Sequence, residues 1–160
     1  IYPFASVGSA PQDMKYNEEK TNLIIGDNNT IREYVTINTG TVQGGGTTQV
    51  GNNNLIMISA HIAHDCIIHD NCVIVNNVQI GGHVTVDNFA IVGGGTLIHQ
   101  FSKIGTHAMV AGGSLVRKDI PPFCKAGKEP LSFKGVNTIG LKRRNFSSES
   151  INQIQNINVD

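Results

Sequence analysis

Histidine and acidic side chains are concentrated in one short stretch of this 160-residue sequence. His61, His64, Asp65 and His69 fall within nine residues of one another. Imidazole can accept a proton from a hydroxyl near pH 7, and it does so best when a carboxylate holds its other ring nitrogen. Asp65 is the adjacent carboxylate, although the side chains of neighbouring residues in a turn can point in different directions. The pair predicts a general base, with His64 as the base and Asp65 as the residue that orients it.

A metal site is an alternative interpretation of the same residues. Histidine is a frequent zinc ligand, and His64 and His69 have the five-residue spacing of the gamma-type carbonic anhydrases. The third ligand of those proteins lies about 36 residues before the first of these two histidines. This sequence has Asn28 at that position, and no histidine precedes His61. Histidines in surface turns can also be solvated and make only local hydrogen bonds, which is our interpretation of His69 and His107. We therefore predict no metal and no cofactor.

The elements that must position these residues follow from a six-residue repeat. β-Branched residues recur at every sixth position, namely Val50, Ile56, Ile62, Ile68, Ile74, Ile80, Val86, Val92, Ile98, Ile104, Val110 and Val116. Four residues after each comes a second, mostly small side chain, from Asn54 to Ile120. Turn-forming Gly, Asn and Asp fill the positions between. Each unit is a short strand followed by a sharp corner, and strands this short must stack to be stable.

This repeat resembles the hexapeptide-repeat family of left-handed parallel β-helices, in which three units make one triangular coil. Residues three units apart then lie above one another at about 4.8 Å, the spacing of neighbouring strands. Gly82 is thereby expected on the coil after His64, and His83 on the coil after Asp65. A glycine lets a substrate approach the backbone, and its N–H can stabilise an oxyanion. Base, orienting acid and oxyanion donor can meet in one patch, as acyl transfer to a hydroxyl requires.

The repeat predicts an all-β domain over residues 1–122. Its register extends upstream through Ile25 to Val7, which are separated by the length of one coil. Polar residues 8–24 and seven extra residues before Val50 are expected to protrude as loops, where functional residues often lie. Because the sequence starts inside a repeat, we expect it to be a fragment that lacks N-terminal coils.

The remaining residues, 123–160, follow a different pattern. The repeat ends at Pro121-Pro122, where a strand register does not continue easily. An irregular crossing is expected next, and Ser147 and Ser148 are then typical N-caps for a short helix that contains Ile151. The sequence thus predicts a second, C-terminal region that begins a helical segment.

Composition excludes several classes of partner. Twelve Lys and Arg balance twelve Asp and Glu, and residues 33–102 contain no Lys or Arg, so a nucleic-acid groove has almost no basic surface. No stretch approaches the roughly 18 consecutive apolar residues of a membrane-spanning helix. Cys66 and Cys72 occupy the small inward position, and three cysteines without paired spacing are typical of a reducing compartment. We predict a cytoplasmic protein with no nucleic-acid partner and no membrane span.

Several local strings resemble one family closely. In chain order they are Pro11-Gln12-Asp13-x-Lys15-Tyr16, Ile31-Arg32-Glu33, Thr41-Val42-Gln43-Gly44-Gly45-Gly46, His61-Ile62-Ala63-His64-Asp65-Cys66, Gly82-His83, His99-Gln100-Phe101 and Gly140-Leu141-Lys142-Arg143-Arg144-x-Phe146-Ser147. Together they resemble the UDP-N-acetylglucosamine O-acyltransferases, which open lipid A biosynthesis in Gram-negative bacteria. The resemblance covers essentially the whole chain. It implies a homotrimer in which acyl carrier protein delivers a 3-hydroxyacyl thioester to the 3-hydroxyl of UDP-N-acetylglucosamine.

The resemblance also implies a role for individual residues. His64 would be the general base, Asp65 would orient it, and the Gly82 N–H would face the thioester oxygen. Substrates would be held by Gln12, Asp13, Lys15, His61, His83, His99, Gln100, Asn137, Arg143 and Arg144, of which the last three would hold the nucleotide. Arginine is independently suited to phosphate oxygens. Gly112 would gate acyl length, and a glycine there predicts a long acyl chain.

The sequence is also consistent with other functions. One is a different hexapeptide acyltransferase, either the N-acyltransferase of the same pathway or a CoA-dependent acetyltransferase. Another is a non-catalytic scaffold fragment that keeps only the β-helix and an assembly role. The Gln12-Asp13 loop and the Leu141-Lys142-Arg143-Arg144 string favour the O-acyltransferase.

Overall fold

The computed structural model describes residues 1–127 and 132–157; residues 128–131 and 158–160 of the predicted C-terminal region lie outside the described residues. The described elements are β1 (Ser6–Ser9), β2 (Asn22–Ile25), β3 (Thr30–Ile31), β4 (Thr36–Asn38), a 3₁₀ helix (Val42–Gly44), β5 (Thr47–Val50), β6 (Leu55–Ile56), β7 (His61–Ile62), β8 (Ile67–Ile68), β9 (Val73–Ile74), β10 (Gln79–Ile80), β11 (Thr85–Val86), β12 (Ile91–Val92), β13 (Leu97–Ile98), β14 (Lys103–Ile104), β15 (Met109–Val110), β16 (Leu115–Val116), β17 (Cys124–Gly127), β18 (Ser132–Val136), α1 (Thr138–Arg143) and α2 (Ser148–Ile157). No helix among them is long and apolar enough to cross a membrane.

Three sheets form the faces of a triangular prism. The first sheet contains β1, β4, β7, β10, β13 and β16, the second contains β2, β5, β8, β11 and β14, and the third contains β3, β6, β9, β12, β15, β17 and β18. Within the repeat, each short strand pairs in parallel with the strand three places later, so Ile62 lies opposite Ile80. The predicted left-handed parallel β-helix is confirmed.

Three corners connect these sheets, and they carry the polar residues. We call the corner from the first to the second sheet the first edge, the next corner the second edge, and the return from the third to the first sheet the third edge. Many corners hold a residue with a left-handed backbone, for example Asp65 with φ 59° and His83 with φ 61°. Asn and Asp tolerate this conformation better than most residues.

The aliphatic residues of the six-residue repeat form the core, as predicted. Every one of them from Val50 to Val116 is at most 4% exposed, and the smaller residues four places later are at most 5% exposed. Cys66 and Cys72 belong to this second set, and burial raises the pKa of each thiol to about 12. These two cysteines are therefore packing residues that stay protonated at neutral pH.

The loop after β1 is longer than the spacing of Val7 and Ile25 indicates. Val7 pairs with Ile37 in the first sheet, whereas later coils, such as the one from Val50 to Ile68, are two repeat units shorter. Ile25 lies in the second sheet. The interpretation of Val7 and Ile25 as one coil apart is wrong, because two further repeat lengths of chain are inserted between two consecutive strands.

The stack also continues past the two prolines at which the sequence predicts its end. Strand β17 pairs in parallel with β15, placing Ala126 opposite Val110 in the third sheet. Pro121 and Pro122 precede this strand and lie at its corner, where the missing N–H removes no ladder hydrogen bond. The β-helix therefore gains one strand beyond residue 122.

The C-terminal elements pack as a small second layer. Strand β18 runs antiparallel to β17, and Val136, Leu141 and Ile151 form a separate buried cluster. Ser147 Oγ accepts a hydrogen bond from Ser150 N at 3.1 Å, which is the predicted N-cap of α2. Helix α1 has no counterpart in the predicted irregular crossing, because it is too short to display a helical period.

Candidate active site

The predicted base and its partner are in contact at the first edge. His64 Nδ1 lies 2.8 Å from Asp65 Oδ2. An ionised carboxylate can only accept, so Nδ1–H donates, and neutral His64 keeps its lone pair on Nε2. The side chain of His64 is 13% exposed. Nε2 is therefore the atom that can accept a proton from a substrate hydroxyl.

The loop between β4 and β5 covers the carboxylate of Asp65. Asp65 Oδ1 accepts from Thr41 N at 2.7 Å, and Oδ2 accepts from the Thr41 hydroxyl at 2.6 Å. Gly44 lies so close that a Cβ there would come within 2.0 Å of Asp65 Cγ. The Asp65 backbone N–H donates to Thr48 Oγ1 at 2.8 Å. This loop, predicted only to protrude, packs down onto the acid and leaves its side chain 1% exposed.

These contacts keep Asp65 ionised. Burial alone would raise the pKa of its carboxyl. The hydrogen bonds from Thr41 and His64, together with the positive charge that His83 can carry, outweigh burial and hold the pKa below its usual value. Asp65 therefore carries a negative charge at neutral pH, and a carboxylate 2.8 Å from the ring can stabilise a positive charge on His64.

We expect Thr41→Val to destabilise the protein at neutral pH by about 1.5–3 kcal/mol, because it removes a hydrogen bond to a buried charged group and nearly keeps the side-chain shape. The stabilisation that comes from the lowered pKa of Asp65 is present above the ordinary carboxyl pKa and is lost as the pH falls through the folded-state pKa. The loss of unfolding free energy caused by Thr41→Val must therefore become smaller in acid. Urea unfolding at neutral and acidic pH measures it.

Thr85→Val is the matched control for that experiment. Thr85 lies on β11, and among the described residues its hydroxyl has no hydrogen-bond partner. Equal losses of stability in the two variants would contradict the role assigned to Thr41.

Gly82 leaves the space in which the His64 ring lies. A Cβ on Gly82 would be 2.5 Å from His64 Cε1 and 2.7 Å from Nε2. Both flanking amides are used in the stack, since Gly81 N donates to Ile98 O and His83 N donates to His64 O. For the Gly82 N–H, no acceptor lies within hydrogen-bond distance in the described part of the chain. Its amide is thus available to a ligand beside the base.

The equivalent amides at the second edge are satisfied by side chains. Asp27 N donates to Asn52 Oδ1 at 2.7 Å, and Asn52 N donates to Asp70 Oδ1 at 2.7 Å. Asp70 N then donates to Asn88 Oδ1 at 2.9 Å. These donors occupy the same position of the repeat as Gly82. This ladder of side-chain acceptors lies at the second edge, and no acceptor of this kind meets the Gly82 N–H among the described residues.

Two aromatic rings complete the surroundings of the base. The His83 ring meets the His64 ring edge-on with centroids 5.1 Å apart, and His83 Nε2 is 3.7 Å from Asp65 Oδ2. Phe101 stacks on His83 at 4.4 Å. Phe101 is not among the residues predicted to bind substrate. Its spacing of one coil from His83 is the signal that identifies it.

An apolar groove of about 330 Å³ lies on the first sheet, close to His64 and Asp65. His61, Leu97, His99 and Leu115 are among its lining residues. His61 Nδ1 lies 2.7 Å from Thr36 Oγ1, and burial together with the charge of His64 lowers the pKa of His61. His61 therefore stays neutral near pH 7. Leu97 and Leu115 pair on neighbouring coils, so coil spacing alone could have placed them together.

The other predicted substrate residues are spread over the prism. Gln100 lies at the first edge, one coil after Gly82. Gln12, Asp13 and Lys15 belong to the loop that leaves the first sheet after β1 and enters the second sheet at β2, so this loop also lies at the first edge. Gly112 lies at the third edge, where a Cβ would be 2.9 Å from the carbonyl oxygen of Gly94 on the preceding coil.

Asn137 and Arg144 lie at the second edge instead. Asn137 is 4% exposed; its Nδ2 donates to His107 O at 3.0 Å, and its Oδ1 accepts from Gly140 N at 3.2 Å as the N-cap of α1. Arg144 Nη1 lies 2.9 Å from His107 Nδ1, and Arg143 is exposed. The residues predicted to hold the nucleotide thus lie on a different edge from His64 of the same chain.

His107 corrects one expectation about the histidines. It is 8% exposed and lies between the rings of Phe89 and Phe123. The interpretation of His107 as a solvated corner residue is wrong, because the C-terminal segment packs over it. His69 is exposed at the same edge, with its Nε2 3.8 Å from Asp87 Oδ1, as a corner histidine with local contacts.

The two histidines with the spacing considered for a metal ion lie apart in one chain. His64 is at the first edge and His69 at the second, so a single chain does not bring them to one ion. A different group, His64, Asp65 and His83, has potential ligand atoms within 4.8 Å of one another. Both oxygens of Asp65 already accept hydrogen bonds from Thr41, and one also accepts from His64. The carboxylate is used to orient the histidine.

Comparisons with known proteins match both regions of the chain. The family model described as bacterial transferase hexapeptide (six repeats) matches residues 47–82, and the model described as UDP N-acetylglucosamine O-acyltransferase, domain 2, matches residues 119–158. An acyl-(acyl-carrier-protein)-UDP-N-acetylglucosamine O-acyltransferase of Aliarcobacter butzleri is 52% identical over 155 residues, which are 97% of this chain and 60% of that relative.

Solved structures agree with the sequence matches. The UDP-N-acetylglucosamine O-acyltransferase of Moraxella catarrhalis has a TM-score of 0.96 and 45% identity, covering 98% of this chain and 61% of its own. The enzyme of Campylobacter jejuni has a TM-score of 0.92 and 42% identity, covering 98% of this chain and 60% of its own. The chain therefore spans about 60% of the length of the relatives it matches.

The repeated coils and the corner site define the chain as a hexapeptide-repeat protein with a left-handed β-helix. Its similarity to the relatives covers nearly all of its length. Within that class, the proteins that it matches at 42–52% identity are UDP-N-acetylglucosamine O-acyltransferases, the family that its motifs resemble.

Proposed function

We propose that this chain carries the catalytic β-helix of an enzyme that transfers a 3-hydroxyacyl group from acyl carrier protein to the 3-hydroxyl of UDP-N-acetylglucosamine. The observation that carries the proposal is the His64–Asp65 pair, with Nδ1 and Oδ2 2.8 Å apart, beside the available Gly82 N–H. A relative 52% identical to the chain is named for this activity. The reaction would be the first step of lipid A biosynthesis.

The geometry supports a two-step acyl transfer. In the first step the sugar oxygen attacks the thioester carbonyl carbon while its proton passes to His64 Nε2, and Asp65 stabilises the imidazolium. The carbonyl oxygen becomes an oxyanion and accepts a hydrogen bond from the Gly82 N–H. In the second step the carbon–sulfur bond breaks, and the leaving thiolate takes the proton back from His64. The products are the sugar ester and the free thiol of the carrier.

The groove on the first sheet supports an apolar acyl chain beside this centre. Its walls include Leu97 and Leu115, and it begins next to His61 and His99. Gly112, at the third edge, borders the same sheet and adds no side chain. We propose that Gly112 leaves the groove open to a long acyl chain, and that His61, His83, His99 and Gln100 contact the acyl group and the sugar around it.

The charged residues support recognition of the nucleotide sugar. Arg143 and Arg144 close α1, and arginine donors match phosphate oxygens. We propose that these two residues and Asn137 hold the nucleotide, while Gln12, Asp13 and Lys15 reach the sugar from the loop at the first edge. These two groups lie on different edges of one prism, so a neighbouring copy of the chain is needed to bring them to one site.

The third sheet provides a surface for such a copy. Leu55, Val73, Ile91 and Met109 form an outward-facing apolar row, each partly exposed. Apolar surface of this kind is typical of protein–protein interfaces. We propose a homotrimer with sites between subunits. Light scattering of the intact protein should give three times the mass of one chain, and a monomeric mass would contradict the shared site.

A cytoplasmic location completes the proposal. Cys66 and Cys72 are buried as thiols within the β-helix core, as is typical of proteins in a reducing compartment. Acyl carrier protein is the proposed donor partner. We propose no nucleic-acid partner, because the β-helix body is almost free of Lys and Arg.

One assay tests the function directly. The intact protein is incubated with UDP-N-acetylglucosamine and acyl carrier proteins that bear 3-hydroxyacyl chains of different lengths, and the product is identified by mass and by its lability to mild base. A base-labile ester formed with the longer acyl chains is the expected product. In parallel reactions, an amide formed only on an acceptor with a free amino group would indicate the N-acyltransferase, and transfer from acyl-CoA but not from acyl carrier protein would indicate an acetyltransferase. No product in any of these reactions would favour a scaffold.

A further inference from the structure

His107 lies at the centre of the contact between the β-helix and the C-terminal segment. Its ring is stacked between Phe89, with centroids 4.7 Å apart, and Phe123, at 5.6 Å, and both rings are within 15° of parallel to it. Phe146 meets the same ring edge-on at 5.0 Å. Three aromatic rings thus fix the plane of the imidazole, and nothing in the proposed acyl-transfer steps uses it.

Two of the residues proposed to hold the nucleotide contact His107. Arg144 Nη1 lies 2.9 Å from His107 Nδ1, and Asn137 Nδ2 donates to His107 O at 3.0 Å. Arginine has no acceptor atom, so Nδ1 must carry a lone pair and the ring proton lies on Nε2. The guanidinium carbon of Arg144 also lies 4.9 Å from the centre of the Phe89 ring. Arg144 is thereby held in one orientation before any nucleotide arrives.

We propose that His107 is a positioning residue, whose neutral ring orients Arg144 and whose carbonyl anchors Asn137 for the diphosphate of the nucleotide sugar. This inference rests on the proposed function. A protonated His107 would have no lone pair for Arg144, and it would place two cations at 2.9 Å. Affinity for the nucleotide sugar therefore depends on the protonation of a residue that does not itself contact the reacting atoms.

The groups around the ring set the direction of this dependence. Burial and the charge of Arg144 lower the pKa of His107. The nearby Cys72 thiol interacts with Arg144, but its pKa of about 12 keeps it uncharged. In the described part of the chain, the aromatic rings in contact with the imidazole are those of Phe89, Phe123 and Phe146, and the charged group that acts on its pKa is Arg144. Nucleotide affinity is thus complete above the ordinary histidine pKa and falls as the pH drops through the lowered value.

Replacing His107 by Phe removes the acceptor and keeps the stack. Phe89 and Phe123 hold corresponding corner positions with φ 61° and 65°, close to the 55° of His107, so the backbone accepts Phe there. We expect His107→Phe to raise KM for UDP-N-acetylglucosamine about tenfold with little change in kcat, since a hydrogen bond to a charged group is lost. The rise of KM in acid seen in the wild type should disappear. His107→Asn, which restores an acceptor and tolerates the left-handed backbone, should recover part of the affinity.

Three further measurements decide the outcome. His69→Phe, at the same edge but away from Arg144, should leave KM unchanged. A double-mutant cycle should show that the effect of His107→Phe vanishes in an Arg144→Gln background. An additive effect, or an unchanged KM in His107→Phe, overturns the proposal.

Titration calorimetry with UDP needs no turnover, so it separates this inference from the proposed function. UDP binding that is weaker in His107→Phe and partly recovered in His107→Asn supports a positioning role. Equal binding by the wild type and both variants overturns it.

Discussion

His64→Ala should lower kcat/KM for acyl transfer to UDP-N-acetylglucosamine by about 10²–10⁴-fold, the range expected when a positioned general base is removed. The hydroxyl proton then has no acceptor at Nε2, and the imidazolium that Asp65 stabilises cannot form. Asp65 keeps its two hydrogen bonds from Thr41, so the buried carboxylate remains paired and the fold should persist. Steady-state kinetics with acyl carrier protein as donor measure the loss.

His69→Ala provides the matched histidine control. His69 is exposed at the second edge and contacts only Asp87 at 3.8 Å among the described acidic residues. We expect its kinetics to equal those of the wild type, and both variants should keep the far-UV spectrum and the oligomeric mass. Wild-type turnover in His64→Ala would remove His64 from the mechanism.

Gly82→Ala should be nearly as damaging, with activity reduced about 10²-fold or more, because a catalytic group displaced by about 1 Å can lose that much rate. The added Cβ would lie 2.5 Å from His64 Cε1, a distance that forces the ring to move. The new methyl also crowds the space in which the oxyanion would meet the amide. Single-turnover rates of the intact variant, compared with its melting temperature, separate a lost reaction from a lost fold.

Gly94→Ala tests whether any alanine at this repeat position has the same effect. Gly94 occupies the equivalent position at the third edge, and its added Cβ would meet Asn76 O at 3.1 Å, which a small shift relieves. We expect near wild-type kinetics and a slightly lowered melting temperature. If Gly82→Ala retained full activity, His64 could not be working from the position seen beside Gly82.

Much of the fold and part of the site follow from spacing alone. The period of six places Ile62 above Ile80, and the same arithmetic brings Gly82 to His64 and His83 to Asp65. Side chains that repeat along a stack have few alternatives, because a one-residue slip would turn every aliphatic residue outward. The burial of Cys66 and Cys72 was predictable for the same reason.

The features that spacing could not predict are those outside the period. Thr41 belongs to an inserted loop, so its contact with Asp65 depends on how the extra residues fold back. His107 obeys the period, but its burial depends on a C-terminal segment that crosses over it. Residues that pair across such irregular segments leave no regular signal in the sequence, whereas Phe101, Leu97 and Leu115 left one at intervals of a full coil.

The unequal coil lengths have a consequence for how this architecture can change. Ile37 pairs with Ile62 and Val7 pairs with Ile37, although in both cases the intervening chain is longer than a regular coil. Parallel pairing continues on either side of the two insertions, with one register irregularity between Val7 and Ser9, and both insertions open at the edge that carries His64. Doubling the length of a flexible loop costs only about 0.6 kcal/mol of closure entropy. Natural or laboratory evolution can therefore exchange loops at this edge and alter substrate range while the folding of the β-helix is left intact.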